Sequence, residues 1–204
     1  MRLSPFAVVM ALVIPALATP AFAEDINDTG WKISCDDAGC QIASGGFALW
    51  TTEGSDPAAL QALHSLPDMS AVNFLGVLQN MGDSTADLVL AFAERADNIN
   101  EGNLQVMQGD WKPVGEQTPY FIRIIGMEYQ EWTNDEMGEN FAMIAGDSCA
   151  DGTAHTGTVI SLYRLGDDPD ADGCWQVEYV DAKTLSMRDV AGDFGVVDYT
   201  RIQN

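Results

Sequence analysis

The chain begins with one long apolar segment and then changes to short apolar runs separated by polar turns. Residues 6–17 are almost all apolar, Arg2 precedes them, and the small-x-small motif Ala21-Phe22-Ala23 follows. This layout is typical of a secretory signal peptide and is too short for a membrane-spanning helix. We therefore expect cleavage between Ala23 and Glu24, no membrane insertion, and a mature protein that is periplasmic or secreted.

Residues 24–102 combine strand-like and helix-like patterns. Two short apolar runs flank the turn between Cys35 and Cys40, which predicts a β-hairpin closed by a local disulfide. Further on, the capping residues before Pro57 predict a helix that begins there and ends at Pro67. We therefore expect a small α+β portion, made of a disulfide hairpin and helices.

Residues 70–98 fit two different structures. Apolar positions at helical spacing, with Ser70 and Ser84 as candidate caps, favour a pair of helices. The alternation of apolar and polar residues in the same segment also fits a β-hairpin that turns at Gly82-Asp83. We favour the helical pair because the caps agree with the periodicity.

Residues 103–204 contain short runs rich in β-branched and aromatic residues, separated by turns that contain glycine. Short strands with this punctuation predict an antiparallel meander, closed as a barrel or folded as a sandwich. The expected fold class is therefore α+β, with a signal peptide at 1–23, an N-terminal portion at 24–102 and a barrel-like antiparallel β domain at 103–204. The seven runs lie at residues 104–107, 120–125, 141–145, 159–163, 175–179, 184–187 and 196–200.

The start and end of this β segment resemble those of a known family. Gly109-Asp110-Trp111 is similar to the Gly-x-Trp start of lipocalin-like small barrels. Cys149, the 173–177 segment and the terminal 199–202 segment also resemble small exported bacterial proteins of that kind. The resemblance covers roughly residues 104–202 and implies an up-and-down barrel with a binding or structural role and no catalytic residues.

The composition is strongly acidic. The 31 Asp and Glu residues far outnumber the 9 Lys and Arg residues, and the formal net charge at pH 7 is −22. A chain of this charge repels nucleic acid and anionic membranes and attracts basic proteins and cations. We therefore expect no nucleic-acid partner.

The 4 cysteines, an even number, are typical of two disulfides in an exported protein. The tight turn between Cys35 and Cys40 favours a local bridge among the three pairings, which leaves Cys149 to pair with Cys174. A zinc site is the competing interpretation. The chain has no Cys-x-x-Cys motif and its 2 histidines are scattered, so we favour the disulfides.

One acidic segment matches part of a calcium-binding loop. Asp168, Asp170 and Asp172 alternate with other residues and a glycine follows, as in the first half of an EF-hand loop. The twelfth position is Tyr179 and not a glutamate, so Glu178 is expected to supply the remaining carboxylate. The hypothesis is a weak calcium site. The alternative is an acidic turn that holds no metal, and no other cofactor is expected.

Aromatic residues and one serine are further candidates. The 5 Trp and 5 Tyr residues are enough to line a pocket, and we take Trp111 and Trp132 as candidate ligand-binding residues. Gly82-Asp83-Ser84 resembles the start of lipase-type esterases, whose serine needs a base within reach. The nearest match, His155, lies in a strand-rich segment. Ser84 is better explained as a helix cap, so we assign no catalytic residue.

These observations predict a non-catalytic exported binding protein whose ligand is a small amphiphile or a basic protein. Three alternatives stay open. The acidity would suit an inhibitor of a basic cell-wall hydrolase such as lysozyme. The acidic loop would suit a calcium-stabilised structural module, and a pocket that contains histidine would suit an uncharacterised hydrolase.

Overall fold

The structure, a computed structural model, describes residues 23–164, 171–190 and 194–203, with the backbone alone at residues 171 and 172. The expected signal peptide lies, except for Ala23, outside the described residues. Within these ranges the chain forms thirteen strands and two short helices, so the expected α+β class is wrong and the protein is mostly β. Neither helix is long and apolar enough to cross a membrane. The elements are β1 (Glu24–Asp36), β2 (Gly39–Ser44), β3 (Phe47–Thr51), α1 (Pro57–Ser65), β4 (Ser70–Gln79), β5 (Thr85–Arg95), α2 (Glu101–Met107), β6 (Gly109–Pro113), β7 (Tyr120–Ile125), β8 (Glu128–Thr133), β9 (Glu136–Ser148), β10 (Ala154–Arg164), β11 (Ala171–Val180), β12 (Thr184–Asp189) and β13 (Val196–Arg201).

The first five strands close into a small barrel in the order β1-β2-β3-β5-β4, in which β1 pairs with both β2 and β4. Neighbouring strands are antiparallel except β3 and β5, which are parallel. This five-stranded Greek-key arrangement is that of the OB-fold. Helix α1 lies between β3 and β4 and begins where the sequence predicts, because the Asp56 carboxylate accepts hydrogen bonds from the N–H groups of Ala58 and Ala59. The helix packs Leu63 into the barrel core.

The helical pair expected at residues 70–98 is wrong, since the segment forms the β-hairpin of β4 and β5. Phe74 and Leu78 are four residues apart, which suits one face of a helix but also places both on one face of a strand. Pairing with β1 and β3 decides between the two structures. Ser70 begins β4 and Ser84 lies in the turn before β5, so neither caps a helix.

The remaining eight strands form an antiparallel barrel in which neighbours in sequence are neighbours in space, and β13 pairs with β6 to close it. The β-barrel expected in this part of the chain is therefore confirmed. The sequence pattern misses β6 and β8, whose short runs carry many polar residues. The run at 104–107 forms helix α2 and not a strand, because Leu104 and Met107 lie on one helical face and are both fully buried.

Several side chains of the first barrel join the hydrophobic core of the second. Trp31 and Met69 of the first barrel belong to the same cluster of buried side chains as Leu104 of α2 and Trp111 and Ile124 of the second. Burial of apolar area in this shared cluster stabilises the contact between the barrels.

Helix α2 is fastened to both barrels by hydrogen bonds. The Glu101 carboxylate accepts a hydrogen bond from the Ala71 N–H at 3.2 Å and one from the Arg95 guanidinium at 2.6 Å, both in the first barrel. On the other side, the Thr158 hydroxyl of β10 donates to Asn100 Oδ1 at 2.9 Å, directly before the helix. The helix therefore connects the barrels through charged and polar contacts as well as through the core.

Two buried serines of the first barrel allow a test of hydrogen bonding. Ser70 Oγ is fully buried and has no hydrogen-bond partner among the described residues, whereas Ser55 Oγ accepts from the Leu90 N–H at 3.0 Å. An unpaired buried hydroxyl is unfavourable, so we expect Ser70→Ala to leave the free energy of unfolding unchanged or to raise it by up to about 1 kcal/mol. Ser55→Ala, the matched control, should lower it by about 1–3 kcal/mol. Urea unfolding measures both, and equal losses in the two variants would contradict this expectation.

Candidate functional site

A cavity of about 990 Å³ lies between the two barrels. One wall is formed by β1, β2, β3 and the turn between β2 and β3, and the other by the β7–β8 turn and β9. Gln105 of α2 and the adjacent Gln108 also line the cavity. Sites for small molecules are commonly found between domains and have volumes of roughly 300–1,000 Å³, which makes this cavity the main candidate site.

Gly126 determines how closely the barrels approach at one border of the cavity. It lies in the β7–β8 turn with a φ of 58°, a conformation that glycine adopts without steric cost. A Cβ atom at this position would lie 2.8 Å from the Ile33 Cγ2 atom of the first barrel. The Gly126 N–H also donates to Gln108 Oε1 at 2.7 Å, which holds the turn against the end of α2.

The cavity lining is mostly apolar and uncharged. Its larger apolar side chains come from both barrels, and its polar groups are mainly amides and hydroxyls. Such a lining suits a molecule that is apolar over most of its surface and carries few polar groups. The larger apolar residues are Trp31, Ile33, Phe47, Met69, Ile125, Met127, Met143 and Ile144, and the amides include those of Gln41, Asn98, Gln105 and Gln130.

Two carboxylates line the cavity, and they differ in their partners. Asp68 forms an ion pair with Lys32, whose ammonium group also donates to the Leu66 carbonyl at 3.2 Å. Glu128 forms no ion pair within the part of the chain that the structure describes, and its Oε2 accepts from Gln130 Nε2 at 3.0 Å. Among the described residues, Glu128 is therefore the lining carboxylate that has no cationic partner.

Trp111 lies in the core and not at the cavity. It is fully buried, its indole N–H donates to the Met107 carbonyl at 2.7 Å, and the Arg201 guanidinium lies 4.2 Å from its ring centroid. In this position Trp111 joins β6 to the end of α2.

Trp132 lies half-buried on the outer face of the second barrel. Its ring stacks on Phe121 with centroids 5.9 Å apart, and the Arg123 guanidinium lies 4.8 Å from it. Arg123 is in turn held by Asp110 through two hydrogen bonds of 2.6 and 2.9 Å. Neither tryptophan lines the cavity, so their assignment as ligand contacts stays a prediction.

The calcium hypothesis concerns residues that the structure covers only in part. Asp168 and Asp170 lie outside the described residues, and for Asp172 only the backbone is described. Glu178, the expected fourth ligand, accepts a hydrogen bond from Arg188 Nε at 2.5 Å. The calcium site therefore stays a prediction, and its fourth carboxylate already has a cationic partner.

All four cysteines form disulfides, in the pairing Cys35–Cys40 and Cys149–Cys174 that the sequence favours. His64 of α1 places a ring nitrogen within 4.8 Å of both sulfur atoms of the first disulfide. Bonded sulfur atoms are not thiolates, and it is the thiolate that binds metal. This group of three is therefore no metal site while the disulfide is intact.

Three tyrosines and one carboxylate lie together inside the second barrel. The Tyr120 hydroxyl donates to Glu131 Oε1 at 3.3 Å. Burial raises the pKa of Tyr199 to about 12, and it also raises the pKa values of Tyr120 and Tyr129. Burial likewise raises the pKa of the Glu131 carboxyl above its usual value. The cluster thus favours neutral hydroxyl and carboxyl groups.

Ser84 and His155, the candidates for hydrolase chemistry, lie in different barrels. Ser84 belongs to the β4–β5 turn and lines the cavity, whereas His155 is on β10 and its buried Nε2 has no hydrogen-bond partner among the described residues. No hydrogen bond in the described part of the chain joins the two residues. A nucleophilic serine requires a base within hydrogen-bond reach.

The cavity residues carry no signal that sequence reasoning could use. Gln41 lies about half the chain before Glu128 and Met143, and each of the three resembles an ordinary surface or core position. They come together only because the first barrel packs against the β7–β8 turn and β9 of the second.

Comparison with known proteins yields no match: no family model, curated protein or solved structure is significantly similar to this chain. Function is therefore inferred from the cavity, its charges and the fold alone.

Proposed function

We propose that this protein is a non-catalytic exported binding protein that holds a small amphiphile in the cavity between its barrels. The cavity itself carries the proposal, because it has a volume of about 990 Å³ and a mainly apolar lining. The Gln41 side chain, which forms no hydrogen bond with a described residue, is available to the polar part of a ligand. An apolar site with a few converging polar groups is the arrangement that small-molecule sites share.

The second barrel supports the proposed likeness to lipocalin-like exported proteins. It has eight antiparallel strands in sequential order, with Gly109-Asp110-Trp111 at its start and Arg201 near its end placed over Trp111. Its interior is filled by buried side chains, among them Ile122, Leu162 and Met187. We therefore propose the cavity between the barrels, and not the interior of the second barrel, as the ligand site.

Export to the periplasm or out of the cell is part of the same proposal. Both pairs of cysteines are joined as disulfides and no free cysteine is left. Structural disulfides persist in oxidising compartments and are rare in reducing ones.

A basic protein is the second candidate ligand, and the net charge of −22 favours it. Complementary charge accelerates association with a cationic target such as lysozyme. Inhibition of lysozyme that weakens as salt is added would support this candidate, and a lysozyme rate unchanged by the protein at low salt would remove it.

The amphiphile proposal is tested with Nile red, an uncharged dye that fluoresces in apolar sites. Ile144 lines the cavity and is 39% exposed, so a larger side chain there fills the cavity without entering the core. We expect Ile144→Trp to raise the dissociation constant of Nile red at least about tenfold, which corresponds to a loss of at least about 1.4 kcal/mol of binding free energy.

The matched control is Val114→Trp, at a position that is 58% exposed and does not line the cavity. This variant should bind the dye as the unaltered protein does. Dye binding that Ile144→Trp leaves intact would place the site elsewhere, and failure of the unaltered protein to bind the dye would remove the proposal.

A further inference from the structure

The charged residues that line the cavity all have the same sign. They are Asp68 and Glu128, and no Lys, Arg or His lines the cavity within the described residues. On the basis of the proposed function, we propose that the ligand is an organic cation, an amphiphilic ammonium compound whose charged group binds at Glu128.

Glu128 is positioned by two neutral donors. Gln130 Nε2 donates to Glu128 Oε2 at 3.0 Å, and Asn140 Nδ2 donates to the same oxygen at 3.4 Å. The other oxygen, Oε1, has no hydrogen bond or ion pair with a described residue. Charge-assisted hydrogen bonds from an ammonium group to a carboxylate are about twice as strong as neutral ones, so this oxygen is the best acceptor that the cavity offers a cation.

The apolar part of the lining also suits a cation. Trp31 and Phe47 line the cavity on the side of the first barrel, and Met127 and Met143 line it on the side of the second. Aromatic faces attract ammonium groups, quaternary ones included, through the ring quadrupole. Thioether side chains are polarisable and adapt to irregular apolar shapes. One set of residues thus serves both the charged group and the tail of an amphiphilic cation.

An anionic head group finds no cationic side chain among the described residues that line the cavity. Lys32 is the nearby cation, but its side chain is 5% exposed and its ammonium is occupied by Asp68 and by the Leu66 carbonyl. An anion would instead lie beside two carboxylates. The net charge of −22 acts in the same direction at long range, since it concentrates cations near the surface and repels anions.

The experiment compares three compounds with the same octyl tail: octyltrimethylammonium, octyl glucoside and octyl sulfate, each below its micelle concentration. Titration calorimetry on the full mature protein gives the three dissociation constants. We expect the ammonium compound to bind about tenfold or more tightly than the sulfate, with the uncharged glucoside between them. Equal affinities for the ammonium compound and the sulfate would overturn the inference.

Glu128→Gln separates binding at this carboxylate from attraction by the whole protein. It should weaken binding of the ammonium compound by about five- to tenfold and leave the glucoside unchanged. Glu53→Gln, an exposed position outside the cavity, removes the same charge and is the matched control. If both variants weaken ammonium binding equally, the preference belongs to the overall charge and the assignment of Glu128 is wrong.

Salt provides the second readout. At about 0.5 M NaCl, attraction between exposed charges is largely screened, while contact with a partly buried carboxylate is screened much less. The preference for ammonium over sulfate should therefore persist in the unaltered protein, and its loss would count against the Glu128 site.

The three-compound titration also distinguishes failure of this inference from failure of the proposed function. Binding of the glucoside without a preference for the cation leaves the binding-protein proposal standing, whereas no binding of any of the three compounds overturns both.

Discussion

Arg201→Met is expected to lower the free energy of unfolding by about 2–4 kcal/mol, because this one side chain of β13 joins the end of α2, the β11–β12 turn and β6. Its guanidinium donates to the Gln108 and Val106 carbonyls at the end of α2. Its Nε atom donates to the Ala182 carbonyl at 2.9 Å, and the group as a whole lies over the Trp111 ring. Methionine keeps part of the apolar stem but leaves the carbonyls at the helix end without this donor.

Arg188→Met is the matched control for this substitution. Arg188 pairs with Glu178 at 2.5 Å on the outside of the second barrel, where the two side chains are 48% and 34% exposed. Exposed ion pairs contribute about 0–1 kcal/mol to stability, so the free energy of unfolding of this variant should fall by no more than that. Urea unfolding of both variants measures the difference, and a loss of stability at Arg201 no larger than that at Arg188 would show that the contacts of Arg201 do not stabilise the fold as expected.

Part of the fold could be predicted from the sequence because the signals were local. The Asp56 cap before Pro57 starts α1 as expected, and the spacing of Cys35 and Cys40 allows a disulfide across one turn. The helical prediction for residues 70–98 is wrong because a spacing of four residues between apolar positions fits both a helix and a strand. The segment forms the strands β4 and β5 because β4 is hydrogen-bonded to β1 and β5 to β3, and these partners are not adjacent to it in sequence.

The site could not be predicted because no local pattern marks it. Trp111 and Trp132 stand out in the sequence as large aromatic residues, yet one supports the core and the other packs on the outer face of the second barrel. Glu128 is one of 31 acidic residues, so the fact that it is a glutamate does not mark it as a site residue. Its significance comes from its place beside the cavity and from the lack of a cationic partner among the described residues.

The packing of the barrels explains why the cavity lies between them. Side chains fill the interior of each barrel, and the two cores meet through Trp31 and α2. Gly126 allows one turn of the second barrel to touch Ile33, while the neighbouring walls stay apart. Two closed barrels present convex surfaces to each other, so space is left beside their line of contact.

The second large effect is expected at alkaline pH, where the protein should lose stability steeply between about pH 10 and pH 12. Tyr199 is 3% exposed, and burial raises its pKa from 10.0 to about 12. As the pH rises, the Tyr199 hydroxyl therefore loses its proton at a lower pH in the unfolded chain than in the folded protein. The stabilisation from the raised pKa is fully present below pH 10 and is lost as the pH rises through about 12, a loss of about 3 kcal/mol. Burial raises the pKa values of Tyr120 and Tyr129 as well, so they add to the loss.

Tyr199→Phe measures how much of this alkaline loss of stability comes from the Tyr199 hydroxyl. The ring and its packing are kept, so the free energy of unfolding near pH 7 should change by about 1 kcal/mol or less. Between about pH 9 and pH 12 the variant should lose about 3 kcal/mol less than the unaltered protein, since it has no proton to release at this position. Urea unfolding across this range should be made in about 1 M NaCl, where repulsion among exposed carboxylates is screened and buried groups still titrate. An equally steep loss in the variant would mean that Tyr199 ionises as easily in the folded barrel as in the unfolded chain, and that the tyrosine cluster is open to water.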